Sequence, residues 1–511
     1  MRHKEHWCYT ALFALLGLLL FLPLAQEHLG LFTTKPLNGV MVSTQRPKIT
    51  YESYVSGKMQ SQAESYISEH FGFREPMIRL YNQYVWDFFR KTYVKSMVVG
   101  KDKWLYGKEF TDDYIGTRMY EYVDSPERLR EHCLVEAQRI RKVQEIMAEY
   151  DKHLFVIMEP GKTRTYPEHL PRTVVEHAES NKENICAADL YPSLFDSLGV
   201  NCLNFDQWFM TIKDTVGFLL YPQTGTHWSN LAALYATDSI IHYMEHLGHR
   251  NINDLEISDI RFDTTMKPDI DLEQLLNVSR TVRDCPNQYA HFTITNDSAA
   301  VKPVWIHIGD SYYWNISYHI PLDELFERHP YWYYNSTIYY DGHHSTAEVN
   351  LVQELIATDY VTLGYCTSQL YALSSYFASQ ALVHLCYEQD EVNRVVQGIM
   401  DNMDQSEEWR ASLQQKAEAQ GKTLEAVMQA DARYMLYLNP EKYFPGLQEE
   451  HPAARNRMLL QCQSDSPLGR QLRQMLGNPE WMEGLKKKAD ERHLDLETVI
   501  LQDAEWMLQQ H

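Results

Sequence analysis

Apolar runs bounded by turn residues alternate along this chain with segments of helical periodicity. The runs at 154–158, 200–205, 303–308 and 360–363 are rich in apolar residues, which predicts strands covered on both faces of a sheet. Between them, apolar residues recur at three- and four-residue spacing, the pattern of helices with one buried side. The alternation predicts an α/β fold with a mostly parallel sheet flanked by helices.

Several of the predicted helices carry start or stop signals. Ser125 precedes Pro126, which predicts Ser125 as the N-cap and Pro126 as the first residue of a long helix. Ser229 is expected to cap another helix. Helical spacing over 52–95 breaks at Gly72, so this segment is expected to hold more than one helix.

The C-terminal part of the chain contains an internal repeat of 72 residues. Its first copy extends from Glu408 to Met435, and its second from Glu480 to Met507. The identical pairs include Leu413/Leu485, Lys416/Lys488, Ala417/Ala489, Leu424/Leu496 and Val427/Val499. Neither copy contains a β-branched run, so each predicts a helical hairpin. We expect the repeats to serve packing or interaction, without chemistry of their own.

The N-terminus predicts a segment directed to a membrane. Arg2, His3 and Lys4 precede an uncharged apolar stretch over 7–25, long enough to cross a hydrocarbon core of roughly 30 Å. The basic flank predicts a cytoplasmic N-terminus and a body on the other side of the membrane. An uncleaved anchor is the favoured interpretation, because Pro23 fits a cleavage site poorly; a cleaved signal peptide is the alternative.

These patterns divide the chain into four parts. We assign 1–29 to a signal anchor or signal peptide and 30–50 to a linker with two prolines. The α/β domain is expected over 51–368, and an all-helical domain with the 72-residue repeat over 369–511.

Composition limits the possible partners. The chain has 69 acidic and 47 basic residues and a formal net charge of −22, which argues against nucleic acid as a main partner, because no basic field is available. Its 34 tyrosines and 11 tryptophans are expected mainly in the core, although sugar-binding clefts use such rings as well.

The eight cysteines are dispersed and form no CxxC pair, which argues against a zinc or redox motif. Export permits disulfides, and Cys186 with Cys202 would close a short loop; buried free thiols are the other interpretation. A group formed by His307, Asp341, His343 and His344 matches no standard metal spacing, so we expect no metal and no cofactor.

The strongest candidate for chemistry is Ser311. It follows the apolar run that ends at Gly309-Asp310, and a strand that ends at a glycine and then offers a hydroxyl is typical of hydrolase nucleophiles. A serine needs a nearby base, because its hydroxyl barely ionises at neutral pH. His227, in the loop before the Ser229 helix, is predicted to be that base. The Ser311 amide or its neighbour is expected to stabilise an oxyanion.

A base histidine is usually oriented by a carboxylate on its other nitrogen. Asp206, just beyond a predicted strand, and Asp310 are the candidates for this orienting acid. Asp341 and Glu159 are further possibilities, and sequence does not choose among them.

Candidate substrate-binding residues follow the strand at 154–158 or flank the proposed pair. A loop at the carboxyl end of a parallel strand is where α/β proteins bind ligands; the residues concerned are Lys162, Arg164, Tyr166, Tyr312 and Trp228. For Lys162, solvated loop charge is an equally open interpretation.

Taken together, five segments resemble the alginate O-acetyltransferase family of SGNH-hydrolase-like periplasmic acetyltransferases, over about residues 50–365. They are His70 to Arg74, the G-x-x-x-W-L-Y pattern from Gly100 to Tyr106, the Lys162 loop through Glu168, Tyr221 to Trp228, and Gly309 to Tyr312. The order, with His227 before Ser311, is the permuted order of that family. Its Asp-x-His-Trp motif differs here, where Gly225 stands at the Asp position.

The resemblance implies acetyl transfer to hydroxyls of an exported cell-envelope polysaccharide through an acetyl-serine. It also implies a body in the periplasm, held at the inner membrane or released if the N-terminus is cleaved. A membrane-bound O-acyltransferase that supplies acetyl groups is an implied partner. Two alternatives remain: a non-catalytic glycan-binding scaffold, motivated by Gly225, and a carbohydrate acetyl esterase.

Overall fold

The computed structural model describes residues 2–39, 44–181, 183–263, 266, 268–464 and 466–510. Its strands are β1 (Met97–Val99), β2 (Leu105–Gly107), β3 (His153–Glu159), β4 (Cys202–Asn204), β5 (Leu255–Phe262), β6 (Gln288–Ile294), β7 (Trp305–Gly309), β8 (Tyr331–Tyr333), β9 (Thr337–Tyr339), β10 (His343–Ser345) and β11 (Tyr360–Cys366).

The helices of the N-terminal and central parts are α1 (Arg2–Leu29), α2 (Tyr51–Val55), α3 (Lys58–Glu69), α4 (Arg74–Phe89), α5 (Lys108–Ile115), α6 (Pro126–Ala148), α7 (Lys162–Thr165), α8 (Arg172–Ser180), α9 (Ala187–Leu198), α10 (Phe205–Ile212), α11 (Asn230–Gly248), α12 (Asp271–Leu275), α13 (Tyr313–Ser317) and α14 (Leu351–Ile356).

The helices of the C-terminal part are α15 (Phe377–Cys386), α16 (Gln389–Gln405), α17 (Glu407–Gln420), α18 (Leu424–Leu438), α19 (Pro440–Tyr443), α20 (Ala454–Gln463), α21 (Pro467–Leu476), α22 (Pro479–Arg492) and α23 (Leu496–Gln509). Short 3₁₀ segments are Lys101–Lys103, Arg118–Glu121, Pro167–His169, Leu322–Glu324, Thr346–Glu348 and Thr367–Tyr376.

A seven-stranded sheet forms the centre of the α/β part, in the order β10-β9-β8-β7-β11-β3-β4. The five strands from β8 to β4 are parallel, while β9 and β10 continue the sheet in antiparallel pairing. The middle strands β7 and β11 are buried at every position, because helices cover both faces. The predicted mostly parallel α/β fold is therefore confirmed.

The sequence pattern located some elements well and missed others. Ser125 and Ser229 cap α6 and α11 as predicted. The ribbon of β5 and β6 and the short strands β8 to β10 were not predicted. Strands of three residues leave too few positions for a period to show, and the ribbon exposes much of β5.

Helix α1 is the part that bears on the membrane. Within the described residues one helix has the length and composition to cross a bilayer, at Tyr9–Leu29, and its side chains are exposed. The C-terminal part of α1 touches the rest of the protein at Gly72, where an added Cβ would lie 2.0 Å from the carbonyl oxygen of Pro23. Residues 30–39 and 44–50 contain no helix or strand; the rest of the predicted linker lies outside the described residues.

The two repeat copies both fold as helix pairs, α17 with α18 and α22 with α23. Matched residues are buried in both copies, as with Ala432 and Ala504, and the ion pair of Lys416 with Asp431 is matched by Lys488 with Asp503. The first copy belongs to the same apolar core as the central strands, whereas the second has a core of its own. The first copy is therefore packed onto the α/β part.

Every cysteine whose side chain is described is a free thiol, Cys186 and Cys202 included. The Cys186 thiol donates to the carbonyl oxygen of Asp113 at 2.9 Å. Burial raises the pKa of Cys202 to about 12, so that this thiol is un-ionised at neutral pH.

Candidate active site

Ser311 lies in the turn after β7, at the carboxyl edge of the central sheet. Gly309 packs so closely against β11 that an added Cβ would lie 2.2 Å from a backbone carbonyl oxygen. The Asp310 carboxylate accepts the amides of Tyr312, at 3.0 Å, and Cys366, at 2.9 Å. Because these contacts tie the turn to β11, the backbone around Ser311 is fixed before any ligand binds.

His227 reaches the same place from the loop before α11. Its Nε2 lies 2.8 Å from Oγ of Ser311. Behind the ring, the Trp228 indole donates to the carbonyl oxygen of Tyr312 at 3.1 Å, and the Tyr312 ring packs at 5.1 Å between centroids. The structure thus brings together the two residues predicted as nucleophile and base, although 84 positions separate them.

The carboxylate of Asp271 lies on the other side of the imidazole, with Oδ2 3.0 Å from Nδ1 of His227. Its Oδ1 accepts the amides of Thr226 and Leu272, both at 2.7 Å. The carboxylate is therefore held at the start of α12, where a helix N-terminus stabilises negative charge. A hydroxyl, an imidazole and a carboxylate in this order are typical of α/β proteins that transfer acyl groups through a serine.

Neither Asp206 nor Asp310 occupies the position expected of the orienting acid. Asp206 pairs with Arg164, and Asp310 accepts the backbone amides around the serine turn. Sequence reasoning missed Asp271, 44 positions after His227 in the chain. Its one sequence signal is an acidic residue opening a short helix, which is common in proteins without such a role.

Gly225 leaves no space for the carboxylate of the family motif. An added Cβ there would lie 2.7 Å from the carbonyl oxygen of Asp269 and 2.6 Å from Cγ of Pro222. The segment that occupies this space is the one that continues into Asp271. The carboxylate next to the histidine therefore comes from α12 in this chain, while the backbone at Gly225 allows the segment to approach.

Two opposing effects set the protonation of His227. Burial lowers its pKa, but the hydrogen bond and charge of Asp271, together with the charges of Asp310 and Glu109, outweigh burial and raise the pKa above its ordinary value. A raised pKa makes the neutral imidazole a stronger base once the pH exceeds it.

The backbone amides around Ser311 differ in whether a protein acceptor engages them. Within the described residues the Ser311 amide donates to no protein acceptor, whereas the next amide, that of Tyr312, is taken by Asp310. Of the two amides expected from sequence, only the first is therefore available to an oxyanion.

Lys162 is buried, and its position differs from that of a ligand-binding loop residue. Its ammonium lies among four carbonyl oxygens, those of Leu105, Pro222, Gln223 and Gly225, at 2.7–3.1 Å. Burial lowers its pKa well below that of an ordinary lysine, while the charge of Asp271 raises it. The lysine therefore ties β2 to the loop that leads into His227.

The G-x-x-x-W-L-Y segment serves the same lysine. Nζ of Lys162 lies 5.0 Å from the ring centre of Trp104 and 5.4 Å from that of Tyr106, distances at which a cation interacts with a ring face. Leu105 between them supplies one of the four carbonyls. This motif therefore contacts the lysine that binds the loop leading into His227.

We expect Lys162→Met to destabilise the fold by roughly 2–4 kcal/mol, because buried carbonyl oxygens lose their donor. Urea unfolding measures this, and exposed Lys101, which also donates to a carbonyl oxygen, provides the control: Lys101→Met should change stability by no more than about 0.5 kcal/mol. A Lys162→Met protein of unchanged stability but weakened acceptor binding would restore the substrate role predicted from sequence.

The other four predicted substrate-binding residues are also engaged within the protein. Arg164 forms ion pairs with Asp206 at 2.8 Å and Asp189 at 2.9 Å. The Tyr166 hydroxyl accepts the amide of Leu220 at 3.1 Å.

Tyr312 and Trp228 are fully buried behind His227, and the Tyr312 hydroxyl lies 3.1 Å from that of Tyr221. A sequence shows that a polar or aromatic residue follows a strand, but it does not show which other segments of the chain contact that residue, so substrate binding by these residues stays a prediction.

A second carboxyl lies beneath the serine turn. Glu159, at the end of β3, is completely buried, and burial together with the charge of Asp310 raises its pKa well above the usual value. A protonated Glu159 is the consistent state, because two adjacent buried carboxylates do not both ionise. Glu159 therefore interacts electrostatically with Asp310, and it is not the carboxylate next to the imidazole.

Comparison with known proteins agrees with this fold. Residues 97–306 match the family model described as SGNH hydrolase-like domain, acetyltransferase AlgX. The matched residues are therefore similar to an SGNH hydrolase-like domain of the acetyltransferase type, in line with the resemblance drawn from the sequence motifs. The matched range includes His227 and Asp271 and ends within β7, before Ser311.

Three solved structures share similarity with the chain. The O-acetyltransferase domain of Pseudomonas putida AlgJ is 15% identical, over 54% of this chain and 92% of that one, with a TM-score of 0.34. Pseudomonas aeruginosa AlgX is 12% identical, over 55% and 65%, with a TM-score of 0.33.

Bacillus cereus PatB1 is 12% identical, over 54% of this chain and 96% of that one, with a TM-score of 0.33. No curated protein matches the chain.

Proposed function

We propose that the protein is an O-acetyltransferase that modifies hydroxyls of an exported cell-envelope polysaccharide. The observation that carries the proposal is the 2.8 Å contact between Ser311 Oγ and His227 Nε2, with Asp271 3.0 Å from the other ring nitrogen. A hydroxyl, an imidazole and a carboxylate in contact in this order lower the free-energy cost of removing the serine proton. That cost is the obstacle to nucleophilic attack at neutral pH.

The proposed reaction has two halves. In the first, Ser311 Oγ attacks the carbonyl carbon of an acetyl donor as His227 takes its proton, and the departing group collects that proton when the tetrahedral intermediate collapses to acetyl-serine. In the second, His227 takes the proton of a sugar hydroxyl as the hydroxyl oxygen attacks the carbonyl carbon of the acetyl-serine. When the bond between that carbon and Oγ breaks, His227 returns the proton to Oγ. The Ser311 amide faces the oxyanion in both halves.

The position of Asp271 bears on the scaffold alternative. That alternative was motivated by the missing carboxylate at Gly225, and a carboxylate from α12 removes the motive. The esterase alternative differs only in the second half, where water takes the place of the sugar hydroxyl. Location at a membrane through α1 and supply of acetyl groups by a membrane-bound O-acyltransferase complete the proposal.

A trapping experiment tests it. The full chain in detergent is mixed with p-nitrophenyl acetate, quenched in acid and digested, and mass spectrometry is used to look for an acetyl group on the peptide that contains Ser311. We expect this adduct, and we expect oligosaccharide acceptors to speed its decay and become acetylated. Acetate as the sole product in the presence of acceptors would indicate an esterase, and no adduct and no ester cleavage would indicate the scaffold.

A further inference from the structure

A groove of about 700 Å³ lies outside the site described above, between the segment that follows β10 and the helices α15 and α18. Its lining combines tyrosine rings with planar polar side chains; they include Tyr376, Gln380, Gln429, Arg433, Tyr434 and Tyr437. Tyr434 is 50% exposed and Tyr376 37% exposed. Concave sites with aromatic walls and a few polar groups are typical ligand sites.

Two rings form one wall of this groove at a fixed angle. Tyr376 and Tyr434 lie 5.4 Å apart between centroids and nearly perpendicular, and their hydroxyls are 3.3 Å apart. Arg433, beside them, is half-buried and also lines the groove, so a guanidinium forms part of its wall. Such a combination offers ring faces to C–H groups and donors to hydroxyl oxygens.

The backbone at Tyr376 adopts a strained conformation, which contacts with other segments hold in place. Ser374, Ser375 and Tyr376 all have left-handed φ angles, of 62°, 46° and 65°, although none is glycine. The Tyr365 hydroxyl donates to Ser375 Oγ at 2.8 Å, and the Asn335 amide donates to the Ser375 carbonyl oxygen at 3.1 Å. Strain of this kind persists where surrounding contacts enforce it, and it is concentrated at functional sites.

The internal repeat gives an independent observation. Tyr434 corresponds to Trp506 in the second copy, and both are aromatic and exposed, at 50% and 61%. The preceding residue differs, Arg433 against Glu505. Both copies therefore present an exposed aromatic side chain at the same position of the repeat.

The groove is connected to the carboxyl edge of the sheet where Ser311 lies. The amide of Tyr334 donates to the carbonyl oxygen of Gly309 at 2.9 Å. The next residue, Asn335, donates to Gln380 at 3.0 Å and accepts from Thr346 at 2.8 Å. Asn335 thus holds both walls of the groove, directly after the strand that pairs with β7.

We propose that this groove binds sugar residues of the acceptor polysaccharide at a distance from the hydroxyl that receives the acetyl group. The proposal rests on the proposed function for the identity of the ligand as an acceptor, but binding itself does not depend on the chemistry. A polyhydroxyl chain suits perpendicular rings flanked by guanidinium and carboxamide groups. The groove then favours long acceptors over short ones and leaves the reaction with small esters unaffected.

The test uses the full chain carrying Ser311→Ala, so that binding is measured without turnover. Immobilised octasaccharides of a neutral glucan, a uronate polymer and an amino-sugar polymer serve as probes, with the corresponding monosaccharides beside them. We expect at least one octasaccharide to bind, and Tyr434→Ala to weaken it roughly 5- to 20-fold. Tyr54→Ala, which removes a ring with 58% exposure on α2, is the matched control and should bind as the parent does.

Two readouts separate this proposal from the proposed function. Tyr434→Ala on an otherwise wild-type chain should raise KM for the octasaccharide acceptor and leave p-nitrophenyl acetate cleavage within about twofold of wild type. The protein could bind an octasaccharide, lose that binding in Tyr434→Ala, and yet never form an acetyl adduct. This result would support sugar binding in the groove and contradict the proposed acetyl transfer. Absence of binding by all three octasaccharides, or equal binding by the Tyr434→Ala protein, would overturn the groove.

Discussion

Ser311→Ala is expected to lower acetyl-ester cleavage by roughly 10⁴–10⁶-fold, because the reaction loses its covalent intermediate and retains only binding and the oxyanion amide. The acetyl adduct on the active-site peptide should disappear with the activity. The temperature of thermal unfolding should change little. Among the described residues, the side-chain hydrogen bond of Oγ is the one with His227, and it lies in a partly exposed site.

Ser193 provides the matched control for this change. It is exposed, and its hydroxyl donates to a carbonyl oxygen on α9, so Ser193→Ala removes the same atom far from the imidazole. Its activity should stay within about twofold of wild type. Residual adduct in the Ser311→Ala protein would show that another residue is the nucleophile.

Asp271→Asn is expected to lower kcat by roughly 10²–10⁴-fold while the protein remains folded. An asparagine presents an amide where Nδ1 of His227 needs an acceptor, so the ring no longer keeps the proton on that nitrogen. A merely structural role for Asp271 would reduce stability and activity together. Asp284, whose side chain is 62% exposed and pairs with Lys103, supplies the control Asp284→Asn.

The pH dependence separates orientation from simple damage. The base must be neutral, so the wild-type rate rises as the pH passes through the raised pKa of His227. Asp271→Asn removes the hydrogen bond and charge that raise this pKa and leaves burial, which lowers it. The ascending limb of kcat/KM should therefore move to lower pH, and a profile in the wild-type position would contradict the assignment.

Adding Gly225→Asp to the Asp271→Asn protein tests the exchange of positions directly. The family motif has its carboxylate there, but a Cβ at 225 meets the carbonyl oxygen of Asp269 at 2.7 Å. We expect no rescue, because the segment leading into α12 already fills the space. Restored activity would mean that this segment moves aside.

Much of the fold could be predicted from local pattern. The buried strands β3, β7 and β11 read as apolar runs, and Ser125 and Ser229 marked the starts of α6 and α11, because a cap acts on amides two or three residues away. Local pattern did not predict β8 to β10, because these three-residue strands are stabilised mainly by their neighbours in the sheet.

The side chains around the candidate site divide in the same way. Ser311 stood out because its strand and its Gly-Asp-Ser turn are contiguous, and His227 stood out beside a helix start. Lys162 and Tyr166 were predicted to meet substrate, but segments far along the chain bury them. No local pattern reports which distant carbonyl oxygens will surround an ammonium.

The order of apolar and polar residues was enough to determine a parallel α/β sheet, the repeated helix pairs and the two residues proposed for acyl transfer, since each depends on neighbours within a few positions. Only the tertiary structure decided which carboxylate meets the imidazole and where a groove opens beside the repeats. Both depend on close approach between segments that are distant in the chain. Burial and excluded volume determine which of these segments meet, and neither produces a periodic pattern in the sequence.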